Sequence, residues 1–219
     1  MTESLKSKLI KLAEERQTKN DPSHDFQHIK RVLNLAVKIG KSVDADLDVI
    51  IPSALFHDTV VYPKNSPQSK GESDESAKVA AEILDGLEDY PKEKIKDVEI
   101  CIKQCSFSKG IVPTLLESKV LQDADRLEAT GAISTMRTFS SCGQMNRPLY
   151  DPGDPFCDNG HQQFKSGIDL FYRRLLVVEK TMHTDLAKKM AKSRTEFLRK
   201  FLDQLKNELI ESDIIKPTS

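Results

Sequence analysis

The sequence predicts an all-α protein, folded as a single helical bundle. Apolar residues recur at spacings of three and four through nearly every segment, and the sustained alternation of apolar and polar residues that strands produce is absent. With 219 residues, of which 38% are hydrophobic, the chain is long enough to bury a substantial core. The helices that follow are taken in chain order.

The first three helices carry their own start and packing signals. The first, over residues 2–16, has a cap candidate in Thr2 and leucines spaced along one face, so we expect a packing helix. The second starts near Ser23, after a turn. The third covers residues 46–59 and contains Pro52, which kinks the helix or marks its restart.

Two further helices complete the first half of the chain. Residues 62–73 form a polar loop, after which Asp74 and Glu75 open the fourth helix, because acidic residues favour a helix N-terminus. The fifth helix spans residues 91–105, and Pro91 suits its first turn.

The second half begins with an apolar segment, residues 115–140, in which Asp123 and Asp125 interrupt what is otherwise a core helix. Residues 141–160 are rich in proline and glycine and are expected to form a long irregular loop. Two long amphipathic helices close the chain. The first is indicated by Phe164, Ile168, Phe171, Tyr172 and Leu175, and the second by Phe197, Leu198, Phe201, Leu202, Leu205 and Leu209.

The composition excludes several classes of protein. There are 33 Lys and Arg residues against 34 Asp and Glu, which gives a formal net charge of −1 and argues against binding of a nucleic-acid polymer. Charges interrupt every apolar run near the N-terminus, and no later stretch is long enough to span a bilayer. We therefore expect a cytoplasmic protein without a membrane partner. The four cysteines are too few and too scattered for a disulfide framework.

Four ligand-type side chains occur in apolar settings that are far apart in sequence. His28 shares a helix stripe with Val32, the pair His57-Asp58 ends an apolar run, and Asp125 interrupts another. Buried imidazoles and carboxylates are costly unless they are paired, and helix bundles build metal sites from facing helices. This mixture of ligands suits Mn²⁺, Fe²⁺, Co²⁺ or Zn²⁺.

The segments HDFQHIKRV, ALFHDTVVYP and LQDADRLEATGAI resemble the motifs of the HD-domain metal-dependent phosphohydrolase superfamily. Its pattern is a histidine, a His-Asp pair and a distant aspartate. The resemblance spans residues 21–179 and includes small bacterial HD proteins that are similar to nucleotide pyrophosphohydrolases. It implies one HD-type domain over residues 1–219, with a packing helix at 1–17 and a C-terminal extension at 184–212.

The resemblance also implies a ligand set for one divalent ion. Mn²⁺ is the first choice, with Mg²⁺, Co²⁺, Ni²⁺, Fe²⁺ and Zn²⁺ as alternatives. His24 is an alternative to His28 as the first histidine of the pattern. Asp123 is a candidate for a residue that contacts the ligands but not the ion. The ligand set is His28, His57, Asp58 and Asp125.

The implied activity is hydrolysis of a phosphoester or phosphoanhydride bond by water bound to the ion. The substrate is expected to be a small phosphorylated molecule, in the first place a nucleotide. The protein would then be a nucleoside triphosphate pyrophosphohydrolase or a nucleotidase. The sequence leaves the oligomeric state open, a homodimer included.

Asp58 and Glu75 are the candidate catalytic residues. Relatives usually carry an acid a few residues after the His-Asp pair, but residues 60–62 are Val-Val-Tyr here. An acid on the opening turn of the next helix, Glu75 or else Glu72 or Asp74, is therefore expected to take that role. The same departure keeps open an alternative, a regulatory domain that binds metal and nucleotide with little turnover.

Candidate phosphate-binding cations are Arg31, Lys109, Arg126 and Arg137. Arg126 has an alternative use in pairing with a buried acid. Cys101 and Cys105 are predicted to be buried thiols outside the site. Relatives often have a histidine where this chain has Cys105, which disfavours a site for two metals.

Overall fold

A computed structural model describes residues 1–16, 25–62, 66–106, 109–160 and 165–216. These residues form α-helices and short helical turns and contain no β-strand, which confirms the all-α fold class. No helix among the residues described has the length and apolar character needed to cross a bilayer.

The helices lie close to the predicted segments. Short 3₁₀ turns occur at Pro67–Gly71, Lys92–Lys94 and Val178–Thr181, and a π turn at Phe171–Leu175. The α-helices are α1 (Glu3–Arg16), α2 (Phe26–Ser42), α3 (Leu47–Phe56), α4 (Glu72–Asp85), α5 (Ile95–Cys105), α6 (Leu116–Leu127), α7 (Gly131–Gln144), α8 (Gly167–Leu170) and α9 (Asp185–Glu211).

The chain divides into two compact units. The first consists of residues 1–126 with residues 183–187, and the second of residues 127–182 with residues from 188 onward. The prediction of one domain over residues 1–219 stays a prediction.

In the first unit, α3 is the central element. Every residue from Val49 to Phe56 is buried, and α3 packs against α1, α2, α4 and α5. The helix runs continuously through Pro52, which has no N–H to donate to the Asp48 carbonyl oxygen. The hydroxyl of buried Tyr90 donates to that oxygen instead, at 2.9 Å. A proline in the middle of the helix is thus accommodated without a restart of the helix.

Side-chain caps set the starts of several helices in the first unit. The Thr2 hydroxyl accepts a hydrogen bond from the Leu5 N–H at 3.2 Å, as predicted for α1. Asp25 caps α2 by accepting from the N–H of His28 at 3.0 Å. The predicted start of this helix near Ser23 lies outside the residues described.

The segment predicted as one helix over residues 115–140 is two helices. Thr130 has an extended backbone and its hydroxyl donates to the Leu127 carbonyl oxygen at 2.7 Å, which closes α6. Gly131 follows with φ +75, in the left-handed region that glycine adopts without strain. After this break, α7 continues to Gln144, four residues into the predicted loop.

The first of the two predicted C-terminal helices is not one long helix. Ser166 and Asp169 form a capping box at the start of the four-residue α8. The Leu176 N–H then bonds five residues back to the Phe171 carbonyl oxygen at 2.9 Å, which produces the π turn. Phe164, part of that prediction, lies outside the residues described. The second predicted helix corresponds to α9.

The core of the second unit is built around Phe171. Its ring is fully buried and stacks on the Phe201 ring, with the centroids 5.4 Å apart and the planes 18° apart. Phe139 packs against both rings. The other buried members of this cluster are Ile168, Leu175, Leu198 and Leu202.

We expect Phe171→Ala to lower the free energy of unfolding by about 3–5 kcal/mol, because it removes a buried ring and leaves a cavity. Urea denaturation followed by circular dichroism measures this change. Phe197→Ala on α9 is the control, since that ring is 43% exposed. Equal losses in the two variants would contradict the assignment of Phe171 to the core.

Candidate metal centre

The end of α3 presents His57 with a defined ring orientation. The helix ends at Phe56, so the His-Asp pair follows its last turn directly. Nδ1 of His57 lies 2.9 Å from the Ala54 carbonyl oxygen. Because a carbonyl oxygen only accepts, Nδ1 carries a proton in this bond. In the neutral ring, Nε2 is therefore the atom with the lone pair, and it is buried without a hydrogen-bond partner among the residues described.

Four side chains from three helical segments of the first unit converge at this point. Nε2 of His28, from α2, lies 3.5 Å from Oδ2 of Asp58 and 3.7 Å from Oδ1 of Asp125. Nε2 of His57 lies 3.5 and 3.8 Å from the same two atoms. One ligand atom each from His28, His57 and Asp125 lies within 4.8 Å of the others. Both imidazoles are buried, and the carboxylates are partly exposed.

This arrangement fits a divalent cation. Two imidazole nitrogens face two carboxylate oxygens at 3.5–3.8 Å, which is longer than a strong charge-assisted hydrogen bond. The buried Nε2 of His57 needs a partner, and its protonated Nδ1 already leaves it ready to coordinate. Nitrogen and carboxylate donors together suit Mn²⁺, Fe²⁺, Co²⁺ or Zn²⁺.

Asp123 lies on the same helix as Asp125 but has a different task. Its carboxylate is fully buried and accepts hydrogen bonds from the His183 N–H at 2.8 Å, the Thr184 N–H at 2.8 Å and the Thr184 hydroxyl at 2.7 Å. It fixes the segment that leads into α9.

Gln122 connects the same helix to two other segments. Its amide nitrogen donates to the carbonyl oxygens of Gln104 at 2.5 Å and Ile111 at 3.0 Å, so its Oε1 is left to accept. Nε2 of His183 lies 2.9 Å from that oxygen and therefore donates to it. His183 is half-buried in this network.

The acids of the α4 opening turn bind the loop that follows the His-Asp pair. The helix starts at Glu72, two residues earlier than predicted. Glu72 accepts from the Tyr62 N–H at 2.6 Å, and Glu75 accepts from the Tyr62 hydroxyl at 2.7 Å. Burial raises the pKa of the Glu72 carboxyl, the Tyr62 hydrogen bond opposes this, and the charges of Asp58 and Glu75 raise it further.

The predicted phosphate-binding cations have different surroundings. Lys109 forms an ion pair with Asp74 at 2.7 Å. Arg126 is 8% exposed, and one guanidinium nitrogen lies 3.4 Å from Nε2 of His183. Burial lowers the pKa of Arg126, while the negative charges of Asp123 and Asp125 favour its charged form. This position fits the alternative of pairing with buried acids as well as phosphate binding.

The remaining predicted residues are placed as follows. Arg31 lies on α2, three residues after His28, and is partly exposed. Arg137 lies on α7 in the second unit and is also partly exposed. His24, the competitor of His28, lies outside the residues described.

Cys105 is a neighbour of the centre that sequence reasoning placed outside it. Its Sγ lies 3.9 Å from Oδ2 of Asp125. Burial raises the pKa of this thiol well above its usual value, and the charges of Asp125 and Asp58 add to that effect. The helical pattern around Cys105 does not separate this contact from ordinary packing, and the one hint in the sequence is that relatives often have a histidine at this position.

Comparison with known proteins identifies the family. A family model described as the HD domain matches residues 25–130, the stretch that contains all four converging side chains. YpgQ of Bacillus subtilis is 31% identical over 198 residues, which is 88% of this chain and 87% of YpgQ. The chain belongs to the HD-domain superfamily. HD domains bind divalent metals, in agreement with the geometry of the centre.

Solved structures resemble this HD-domain protein over nearly its whole length. The structure of B. subtilis YpgQ in complex with ADP superimposes with a TM-score of 0.71 at 28% identity, covering 94% of this chain and 95% of that one. An HD-superfamily hydrolase from Bacillus thuringiensis gives 0.70 at 29% identity, covering 94% and 96%. A protein of Lactobacillus plantarum gives 0.75 at 27% identity, covering 96% and 99%.

We expect Asp123→Ala to lower the free energy of unfolding by about 2–4 kcal/mol, because two backbone N–H groups lose their acceptor. Chemical denaturation of the metal-free protein measures this change. Asp85→Ala on α4 is the control, since that side chain is exposed and its loss is expected to stay within about 0.5 kcal/mol. A neutral Asp123→Ala would show that the segment before α9 does not depend on this carboxylate.

The raised pKa of Glu72 predicts a pH-dependent difference between wild type and Glu72→Gln. The native carboxyl holds its proton more tightly than the unfolded one, so its contribution to stability falls as the pH rises through the native pKa. Glutamine keeps an acceptor for the Tyr62 N–H and has no such loss. In EDTA, the variant should therefore gain stability relative to wild type between pH 4 and pH 7.

Urea titrations at several pH values test this prediction, with Glu82→Gln at an exposed position of α4 as the control. A difference that is constant with pH, or that grows in favour of wild type, would contradict it.

Proposed function

We propose that this HD-domain protein hydrolyses a phosphoester or phosphoanhydride bond in a nucleotide, in the first place releasing pyrophosphate from a nucleoside triphosphate. The observation that carries the proposal is the convergence of His28, His57, Asp58 and Asp125, with imidazole nitrogens 3.5–3.8 Å from carboxylate oxygens. We infer that these side chains hold one divalent ion, with Mn²⁺ as the first choice.

When bound by His28, His57, Asp58 and Asp125, such an ion would supply Lewis acidity for lowering the pKa of a water and polarising a phosphoryl group. The chain itself supplies orientation. The Ala54 carbonyl oxygen fixes the ring of His57, and the Asp25 cap fixes the first turn of α2, on which His28 lies. Fixed donors reduce the reorganisation needed when charge develops on the phosphoryl oxygens.

Glu75 is the proposed base that takes the proton from the attacking water. The Tyr62 hydroxyl donates to its Oε2 and so orients the carboxylate, which leaves Oε1 as a proton acceptor. Of the alternatives, Asp74 is paired with Lys109, whereas Glu72, like Glu75, has one oxygen bound to Tyr62 and remains a second candidate. Asp58 is proposed to contact both the ion and the reacting water.

A nucleotide substrate is supported by two observations. The solved YpgQ structure contains ADP, and this chain resembles it over 94% of its length. Cationic side chains that could bind phosphate lie in the first unit together with the centre, namely Arg31, Lys109 and Arg126. Guanidinium and ammonium groups bind phosphate oxygens through charge-assisted hydrogen bonds. Arg137 remains a further candidate.

A second candidate is a regulatory domain that binds metal and nucleotide with little turnover. It is favoured by the contacts of the α4 opening turn, in which Glu72, Asp74 and Glu75 all already bind Tyr62 or Lys109. Such a domain would hold its ligand without activating water.

Phosphorus NMR of the protein with Mn²⁺ and a mixture of nucleoside triphosphates and monophosphates tests the proposal. We expect pyrophosphate from the wild type, and a rate at least about 100-fold lower for Asp125→Asn, which removes a ligand. Asp85→Asn at an exposed position is the matched control and should keep full turnover. Circular dichroism confirms that each variant is folded.

Free phosphate from monophosphates would identify a nucleotidase instead. Nucleotide that binds the Mn²⁺-loaded protein without forming any product would favour the regulatory domain. Turnover by Asp125→Asn equal to that of wild type would contradict the proposed centre.

A further inference from the structure

We propose that Cys105 is a positioning residue of the metal centre, whose thiol holds one carboxylate oxygen of Asp125 so that the other oxygen faces the two imidazoles. This inference rests on the proposed function, because it concerns the same ion. It assigns a role to a residue that the ligand motif does not contain.

The two oxygens of Asp125 face different partners. Oδ1 lies 3.7 Å from Nε2 of His28 and 3.8 Å from Nε2 of His57. Oδ2 lies 3.9 Å from Sγ of Cys105, within the range of a hydrogen bond to sulfur. Cys105 is 4% exposed, so its thiol is shielded from water.

The position of the thiol is set by the packing of α5 beside α6. One turn before Cys105, Sγ of Cys101 accepts a hydrogen bond from the Ser118 hydroxyl at 3.3 Å. Near the end of α5, the Gln122 side chain binds a backbone carbonyl group. Cys101 pairs with Ser118, and the later residue Gln104 pairs with the later residue Gln122. Continued by one more position on α5, this order places Cys105 beside Asp125.

A thiol that donates to the carboxylate is favoured over a thiolate that coordinates the ion. The proposed ligand Asp58 lies 3.5 Å from both imidazole nitrogens, whereas the hydrogen bond of the Cys105 sulfur goes to the carboxylate of Asp125. The sulfur contacts Oδ2 of Asp125, and Oδ1 is the oxygen that lies 3.7–3.8 Å from the imidazole nitrogens. A partner of this kind orients a ligand, and its loss typically weakens metal affinity by about 10–100-fold.

The test measures the Mn²⁺ dissociation constant of the metal-free protein by electron paramagnetic resonance, without any substrate. We expect Cys105→Ala and Cys105→Val to raise this constant by about tenfold or more, because neither side chain donates a hydrogen bond. Alanine is smaller than cysteine and valine is larger, so an effect common to both variants reflects loss of the donor and not a change of volume in one direction. Cys105→Ser retains a donor and is expected to stay closer to wild type than either.

Cys101→Ala is the matched control. It removes a buried thiol from the same face of α5, whose contact is Ser118 and not a residue of the centre. We expect it to leave the Mn²⁺ dissociation constant unchanged, even where thermal denaturation shows a loss of stability. Equal weakening by Cys101→Ala and Cys105→Ala would overturn the proposal, because it would show a general effect of core packing.

Two further outcomes would overturn it. Cys105→Val with wild-type affinity would show that the thiol does not position Asp125. A sulfur-to-metal charge-transfer band in the Co²⁺-loaded wild type, lost in Cys105→Val, would make Cys105 a ligand instead. A wild-type protein that binds no Mn²⁺ is a separate result, since it would contradict the metal centre itself before any variant is compared.

Discussion

The opposition of two buried imidazole nitrogens to two carboxylate oxygens is the constraint on which the first unit depends. His28 and His57 come from different helices, and each must reach Asp58 and Asp125 at 3.5–3.8 Å. Such groups are costly to bury unless they are satisfied together. The end of α3 and the register of α6 follow from this requirement, and the Asp25 cap fixes the turn that carries His28.

Residues 122–126 of α6, about one and a half turns, contact several different parts of the first unit. Gln122 binds the end of α5 and the connection beyond it, Asp123 binds the segment before α9, and Asp125 faces the imidazoles. Arg126 lies almost buried beside the two carboxylates. Gln122, Asp123 and Asp125 each have different partners, so a shift of the helix by one residue would disturb all of these contacts together.

Much of the fold could be predicted from the sequence, because helical periodicity and capping residues are local signals. The four converging side chains could also be predicted, because the segments around them resemble the family's motifs however far apart they lie in the sequence. The break at Thr130-Gly131 and the π turn at Phe171 were missed, because an apolar pattern continues through both. The partners of Asp123 are about 60 residues away, and the contact of Cys105 with Asp125 depends on helix register, so neither leaves a pattern in the sequence.

The four cysteines are all buried and unlinked, and they fall evenly between the two units. Cys101 and Cys105 lie in the first unit, while Cys142 and Cys157 lie in the second. A thiol reacts as its anion and only when a reagent can reach it, so modification in the native protein proceeds through transient opening of the surrounding structure. Each unit therefore contains two cysteines whose rate of modification by a thiol reagent reports how often that unit opens. Mass spectrometry of the modified peptides would follow the two units separately.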